Sequence, residues 1–249
     1  MSISGIQSRN TYEALSSGYR INRAADDAAG LSISEKLKSN STGLSVGSSN
    51  AKDGNSLINV AEGALSGIQD ALQRIRELGV RSMNGLYGAS EKQAFQQEIE
   101  GLKGTIQSTA KNTSFNTMKL LDGSMADIEL ATNPKGGGLK IQLVNSTLES
   151  LGIADFDVTK NFNLDAIDNA IQRISSARSS FGAQSNRLDY TVNYNDYANY
   201  NLTAANSRIR DTEYGSAVID KNRKQALQEY KLFAMKAQMN SNAGFLKLF

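Results

Sequence analysis

The sequence predicts a mainly α-helical protein, with long antiparallel helices packed as a bundle or coiled-coil rod and one small β-hairpin in the middle of the chain. Three observations carry that prediction. A single proline, Pro134, occurs in 249 residues, so nearly every segment is free of the strongest helix breaker. Both halves of the chain place apolar residues at alternating steps of three and four, the period of one helix face. Between them, two short runs alternate apolar and polar residues around a glycine-rich turn, which is the period of a strand.

The first apolar seam is Leu57, Ala61, Ala64, Ile68, Ala71, Ile75 and Leu78. A second row, Ile58, Leu65 and Leu72, lies beside it and widens the face beyond what a single partner covers, so this helix expects more than one neighbour. Gly79, Gly85 and Gly88 then suit a reversal of the chain. The next helix is predicted over 91–111, with Phe95, Ile99, Leu102 and Ile106 on one face and Ser90 as its expected N-cap.

Ile128 and Leu130 alternate with charged neighbours, Leu139, Ile141 and Leu143 repeat the pattern, and the run 133–138, Asn-Pro-Lys-Gly-Gly-Gly, supplies turn chemistry between them. A hairpin is therefore expected over about 127–143. A turn-rich return precedes the long second-half helix, whose start is expected near Asn163 or Asp165. Its register runs through Leu164, Ile167, Ile171, Ile174, Phe181, Leu188, Val192, Leu202 and Ile209. The same register puts Arg178, Ser185, Asn195, Asn199 and Asn206 at seam positions, where polar side chains cost stability but penalise slipped alignments. The final segment carries a further stripe at Ile219, Ala226, Tyr230, Phe233 and Ala237 and closes on Phe245, Leu246, Leu248 and Phe249. Large apolar side chains at a chain end call for a cover from another surface. Residues 215–249 are accordingly expected to order only on assembly with other copies.

Twenty-seven basic and 25 acidic residues, spread along the chain, leave a net charge of +2 and no patch or tail that points to nucleic acid or an anionic membrane. With no histidine and no cysteine, the commonest general base, the commonest metal ligand and every thiol chemistry are missing. The acidic residues sit among lysines and arginines at helical spacing, as on solvated faces. An enzyme is not expected, nor are catalytic, cofactor-binding or metal-binding residues. No apolar run reaches signal-peptide length or the roughly 20 residues needed to span a bilayer. By themselves these features point to the cytoplasm.

Five stretches then carry a resemblance: LSSGYRINRAADDAAGLSISEKL at 15–37, AKDGNSLINVAEGAL at 51–65, LQRIREL at 72–78, TSFNTMKLLDG at 113–123 and NLTAANSRIRDTEYG at 201–215. Together and in this order they resemble bacterial flagellin, a specific match because several long motifs coincide. The resemblance implies a structural subunit that assembles with copies of itself into the extracellular flagellar filament, for motility. It implies export through the flagellar type III channel without a cleaved signal peptide, and as partners an export chaperone, the filament cap and, for some flagellins, a vertebrate Toll-like receptor. The alternatives are a flagellin-like junction protein between hook and filament, or a minor specialised flagellin acting mainly as a receptor ligand. Only residues 124–162 separate LLDG from NLDAI, so a short form lacking the variable outer domains is expected. The chain also begins nearer to LSSG than flagellins usually do, which implies a short N-terminal partner. The implied domains are a terminal coiled-coil core of 1–28 with 211–249 and a helical rod of 29–210.

The site residues follow from the same resemblance. Arg20, Arg23, Asp26 and Asp27 are expected to align neighbouring copies through complementary charge. Ile219, Tyr230, Phe233, Phe245, Leu246, Leu248 and Phe249 are the expected apolar interface. Arg74, Leu78 and Glu98 match positions through which flagellins are recognised by the receptor, on a surface buried between subunits in the filament. Asp70, Arg74, Glu77 and Arg81 form a charge ladder at steps of four, three and four, whose plainest role is a self-paired solvated face.

Overall fold

The computed structural model describes the backbone of residues 11–245 and the side chains of 11–239. A helical segment over 11–17, α1, opens it and ends at Gly18, whose φ of 77° is the left-handed cap that glycine adopts without strain. The long helices are α2 (Ala28–Ser82), α3 (Ala89–Asn112), α5 (Asp165–Arg210) and α6 (Tyr214–Phe245), with a single-turn helix α4 (Leu148–Leu151) between α3 and α5. Two antiparallel strand pairs complete the chain: β1 (Ser114–Phe115) with β2 (Met118–Lys119), and β3 (Asp127–Ala131) with β4 (Gly138–Gln142). The fold is mainly α with a small hairpin, as the sequence predicts.

The described chain divides into two compact units, 42–199 and the combination of 11–41 with 200–245. The division falls within α2 at 41/42 and within α5 at 199/200, whereas the resemblance implies boundaries at 28 and 211.

In the larger unit, the seam of α2 is buried almost throughout: Leu57, Ala61, Ile68, Ala71, Ile75 and Leu78, together with Ile58, Leu65 and Leu72 of the second row. Ile99 and Ile106 of α3 and Ile167, Ile174, Phe181 and Leu188 of α5 join the same core, so α2 has the two helical neighbours its broad face requires. Beside the apolar seam, α2 and α5 are joined by polar links at heptad steps. The Ser48 hydroxyl donates to Asp196 at 2.7 Å and Asn55 to Asp189 at 2.6 Å; Arg178 donates to Gln69 at 2.8 Å and faces Glu62 at 3.6 Å; Arg76 donates to Asp168 at 2.6 Å. Positions rise along α2 as they fall along α5, which makes the pair antiparallel and fixes its register.

The β3–β4 hairpin pairs Ile128 with Ile141 and Leu130 with Leu139, in the expected place. Its turn follows from Asn133-Pro134-Lys135-Gly136, where the Gly136 amide donates to the Asn133 carbonyl at 3.0 Å with proline at the second position. The hairpin lies close on α2 because α2 presents glycine there. A Cβ on Gly47 would fall on the Thr132 carbonyl, and one on Gly43 would lie 2.7 Å from Pro134 Cβ. Asn50 of α2 donates to the Ala131 carbonyl at 2.7 Å, and Asn195 of α5 to the Thr132 carbonyl at 2.9 Å.

Three local expectations differ from the structure. α3 starts at Ala89 with Gly88 as N-cap and no side-chain cap bond, so Ser90 lies inside the first turn. The β1–β2 pair, turning through Asn116 and Thr117 at φ 46° and 68°, has no counterpart in the sequence reading. Tyr214–Phe245 is a helix rather than a segment without structure of its own. The start of α5 is as expected: Asn163 Oδ1 accepts from the Asp165 amide at 2.9 Å.

Candidate functional site

The smaller unit holds the charged cluster, and its sequence explains where each charge goes. α5 ends at Arg210 and α2 begins at Ala28, and helix ends leave backbone carbonyls and amides without intrahelical partners. The segment 18–27 supplies them. Arg20 places its guanidinium on the Ile209 carbonyl at 2.6 Å and its own amide on the Arg210 carbonyl at 2.7 Å, a cation at the negative end of α5. Thr212 returns its amide to the Gly18 carbonyl at 2.9 Å, and Tyr19 bridges Asp211. The Arg210 guanidinium lies 4.8 Å from the Tyr19 ring centroid and pairs with Glu35 at 2.8 Å.

At the other end, Asp27 Oδ1 accepts from the Gly30 amide at 2.8 Å while the Asp27 carbonyl accepts from Leu31 at 3.0 Å, the geometry of an N-cap on α2. Asp26 Oδ2 accepts from the amides of Asn22 and Arg23 at 3.1 and 3.0 Å. Arg23 pairs with Glu13 of α1, and that carboxylate raises the guanidinium pKa above its ordinary value. All four charges therefore have partners within the chain. Two of them have the sign that suits the helix end they meet, Arg20 at the C-terminus of α5 and Asp27 at the N-terminus of α2. Pairing between copies would compete with these bonds. The N-cap had a signal in the sequence, an aspartate directly before Ala-Ala-Gly-Leu.

α6 contrasts with this closed junction. It is tied to α1 by Lys224, which donates to Thr11 at 2.7 Å, and by Lys221, 5.1 Å from the Tyr12 ring. From 225 to 239 every side chain is exposed. Ile219, Tyr230 and Phe233 form the expected stripe, with Phe233 72% exposed. At 100° per residue, Leu232, Met235 and Met239 fall on the opposite side of the helix and are exposed as well. The sequence reading identified one apolar face, whereas α6 has two. Phe245, Leu246, Leu248 and Phe249 lie outside the residues whose side chains are described.

The three receptor candidates separate. Arg74 donates to Glu98 of α3 at 2.7 Å and to Glu77 at 3.0 Å; the Glu98 bond is the main reason its pKa is raised. Leu78 is 1% exposed, a core residue with no surface to offer. The sequence already placed it in the apolar seam, and that assignment is the one the structure bears out. Among the described residues no group of histidine, cysteine or carboxylates could hold a metal ion.

Comparison with known proteins decides the family. Residues 3–126 match the model of the bacterial flagellin N-terminal helical region and residues 164–248 that of the C-terminal helical region. A flagellin of Halalkalibacterium halodurans is 40% identical over 247 residues, covering 96% of this chain and 90% of that one. The chain belongs to the flagellin family. Its function is that of a structural subunit of the flagellar filament.

The flagellin of Bacillus subtilis is 37% identical over 94% of this chain and 89% of its own length. The crystal structure of Bacillus cereus flagellin superposes with a TM-score of 0.54 at 28% identity, over 59% of this chain and 88% of that one. A putative flagellar hook-associated protein from Vibrio parahaemolyticus superposes with a TM-score of 0.62 over 75% of this chain and all of that one, but at 14% identity this likeness is one of fold alone. A junction role is therefore not favoured over that of a filament flagellin.

Proposed function

We propose that this flagellin polymerises with copies of itself into a helical tube and that α6 is the element the copies cover. The observation that carries this reading is the exposure of α6 on two opposite apolar faces. One neighbouring helix can cover only one of them, so α6 calls for at least two. Each large apolar side chain left in water forgoes about 1.5–3 kcal/mol of burial, which favours association through this helix. Head-to-tail contacts that do not close into a ring generate an open helical polymer. The reading carries with it an extracellular position, export through the flagellar type III channel without a cleaved leader, and the export chaperone and filament cap as further partners. Recognition by a Toll-like receptor would rest on Arg74 and Glu98, not on Leu78. No described helix is long and apolar enough to cross a membrane.

Seeded elongation followed by light scattering and electron microscopy tests the proposal. The wild-type chain is expected to elongate on its own seeds. Phe233→Asp should abolish elongation while leaving the helical circular dichroism of the monomer unchanged, because Phe233 is exposed. Normal filaments from Phe233→Asp would remove α6 from the interface. A wild-type chain unable to extend its own seeds would overturn the homopolymer and return the junction reading to first place.

A further inference from the structure

The reversal between α2 and α3 contains the pair Asn84-Gly85, which occurs once in the chain. Residues 83–88 are all exposed to solvent. The Asn84 amide donates to the Arg81 carbonyl at 3.0 Å, and the Asn84 carbonyl accepts from the Tyr87 amide at 3.2 Å, closing a turn over 84–87. Inside that turn, Asn84 Oδ1 accepts from the Leu86 amide at 3.1 Å, which closes an Asx turn. Two groups are left over. The Gly85 amide and Asn84 Nδ2 make no hydrogen bond among the described residues.

These are the parts of an intramolecular acyl transfer. The Gly85 nitrogen is the nucleophile, Asn84 Cγ the electrophile and Nδ2 the leaving group. The Gly85 nitrogen belongs to the ring that the Leu86 to Oδ1 bond closes, so this bond keeps the side chain folded over it and lowers the entropy cost of attack. The same bond puts a donor on the oxygen that takes up negative charge as the tetrahedral intermediate forms. Glycine adds no side chain to crowd the ring that results. The turn itself does not require glycine, since a Cβ at Gly85 would meet nothing within 4 Å and its φ is not positive. Asn55-Ser56 and Asn206-Ser207 lie inside α2 and α5 instead, where the amide after asparagine is committed to the helical ladder.

We propose that Asn84-Gly85 is a self-modifying site at which the chain deamidates without an enzyme. Hydroxide takes the Gly85 amide proton, the nitrogen attacks Asn84 Cγ, the Cγ–Nδ2 bond breaks and Nδ2 leaves as ammonia with a proton from water. Water then opens the succinimide. Opening at Cγ gives aspartate, and opening at the former backbone carbonyl gives isoaspartate. In sum, side-chain amide and water become carboxylate and ammonium, with no oxidation or reduction. Either product adds a negative charge just beyond Ser82, the last residue of α2, where the helix dipole opposes it. The isoaspartyl form also takes the Asn84 carbonyl out of the main chain, and with it the acceptor of the Tyr87 amide.

The site is independent of the filament reading, and its test uses the monomeric full chain. The protein is incubated at neutral and at mildly alkaline pH, digested with trypsin and mapped by mass spectrometry with separation of aspartyl from isoaspartyl peptides. Peptide 82–92, which holds no other asparagine and no glutamine, should convert to both acid forms, faster at the higher pH. Asn55 and Asn206 should remain amides over the same period. Gly85→Ala should slow conversion by about tenfold. Its circular dichroism should match the wild type, because the added Cβ meets nothing. The chain unfolded in urea should convert more slowly than the folded chain, because the Leu86 and Tyr87 bonds that hold the reacting groups together are gone. A peptide 82–92 that stays an amide would overturn the proposal. So would an equal rate in Gly85→Ala, or an unfolded chain that converts as fast as the folded one.

Discussion

Asn195 donates through Nδ2 to the carbonyl oxygen of Thr132 at 2.9 Å, and both residues are buried. A polar side chain in the seam of α5 thus holds the end of β3, from 63 positions away in the sequence. Replacing it by leucine keeps an apolar volume in the seam but leaves the Thr132 carbonyl without this donor. Asn195→Leu is expected to lower stability by about 1–3 kcal/mol, the cost of a buried polar group left unmade. Urea unfolding of the monomer measures it, and an unchanged midpoint would show that the bond contributes nothing net.

Gly47 and Gly63 occupy the same helix in opposite circumstances, one with the Thr132 carbonyl where a Cβ would sit, the other with nothing within 4 Å. Gly47→Ala must push the hairpin off α2 and should cost about 1–3 kcal/mol, as overpacking does. Gly63→Ala removes only the entropic penalty of a helical glycine and should stabilise by about 0.5–1 kcal/mol. Opposite signs in one denaturation experiment are the expected result; equal signs would mean that the hairpin does not rest on Gly47.

What the sequence made legible was periodicity. Leu57 to Leu78 and Ile167 to Leu188 repeat along one element, so their burial could be inferred without knowing what covers them. The polar links between α2 and α5 could not, since Ser48 and Asp196 are 148 positions apart and nothing local distinguishes them from solvated residues. The β1–β2 turn was hidden for another reason: it uses Asn116-Thr117 where an Asn-Gly pair would have announced it, and threonine rarely adopts positive φ. At the charged junction the sequence shows the cluster of Arg20, Arg23, Asp26 and Asp27 but not its partners within the chain. The helix ends that use them, Ile209 to Arg210 and Gly30 to Leu31, come from separate parts of the chain.

Asp27 allows capping to be separated from any pairing between copies. Asparagine is as good an N-cap as aspartate, whereas alanine is not. Asp27→Ala is therefore expected to destabilise the monomer by about 0.5–2 kcal/mol and Asp27→Asn to leave it nearly unchanged. Seeded elongation of Asp27→Asn then isolates the charge. Normal elongation is expected if the carboxylate serves the helix end alone, and a lag with an intact monomer would restore its role in aligning copies.

Asp157 links the fold to pH. Its carboxylate accepts from the Thr159 hydroxyl at 2.6 Å and from the Thr159 amide at 2.9 Å, and these bonds, with a smaller contribution from Lys160, hold its pKa below the ordinary aspartate value. A carboxyl group whose pKa is lower folded than unfolded binds more protons in the unfolded chain. Its contribution is fully present above the ordinary pKa and is lost as pH falls through the depressed folded value. Thr159→Ala removes the largest cause, so the carboxyl should titrate nearer its ordinary position, as read from the 13C shift of Asp157. The stability gap between the wild type and Thr159→Ala should accordingly be widest near neutral pH and close in acid. A gap that stays constant down through the titration would mean that the Thr159 bonds favour both protonation states equally and that the turn at 157–159 does not sense pH.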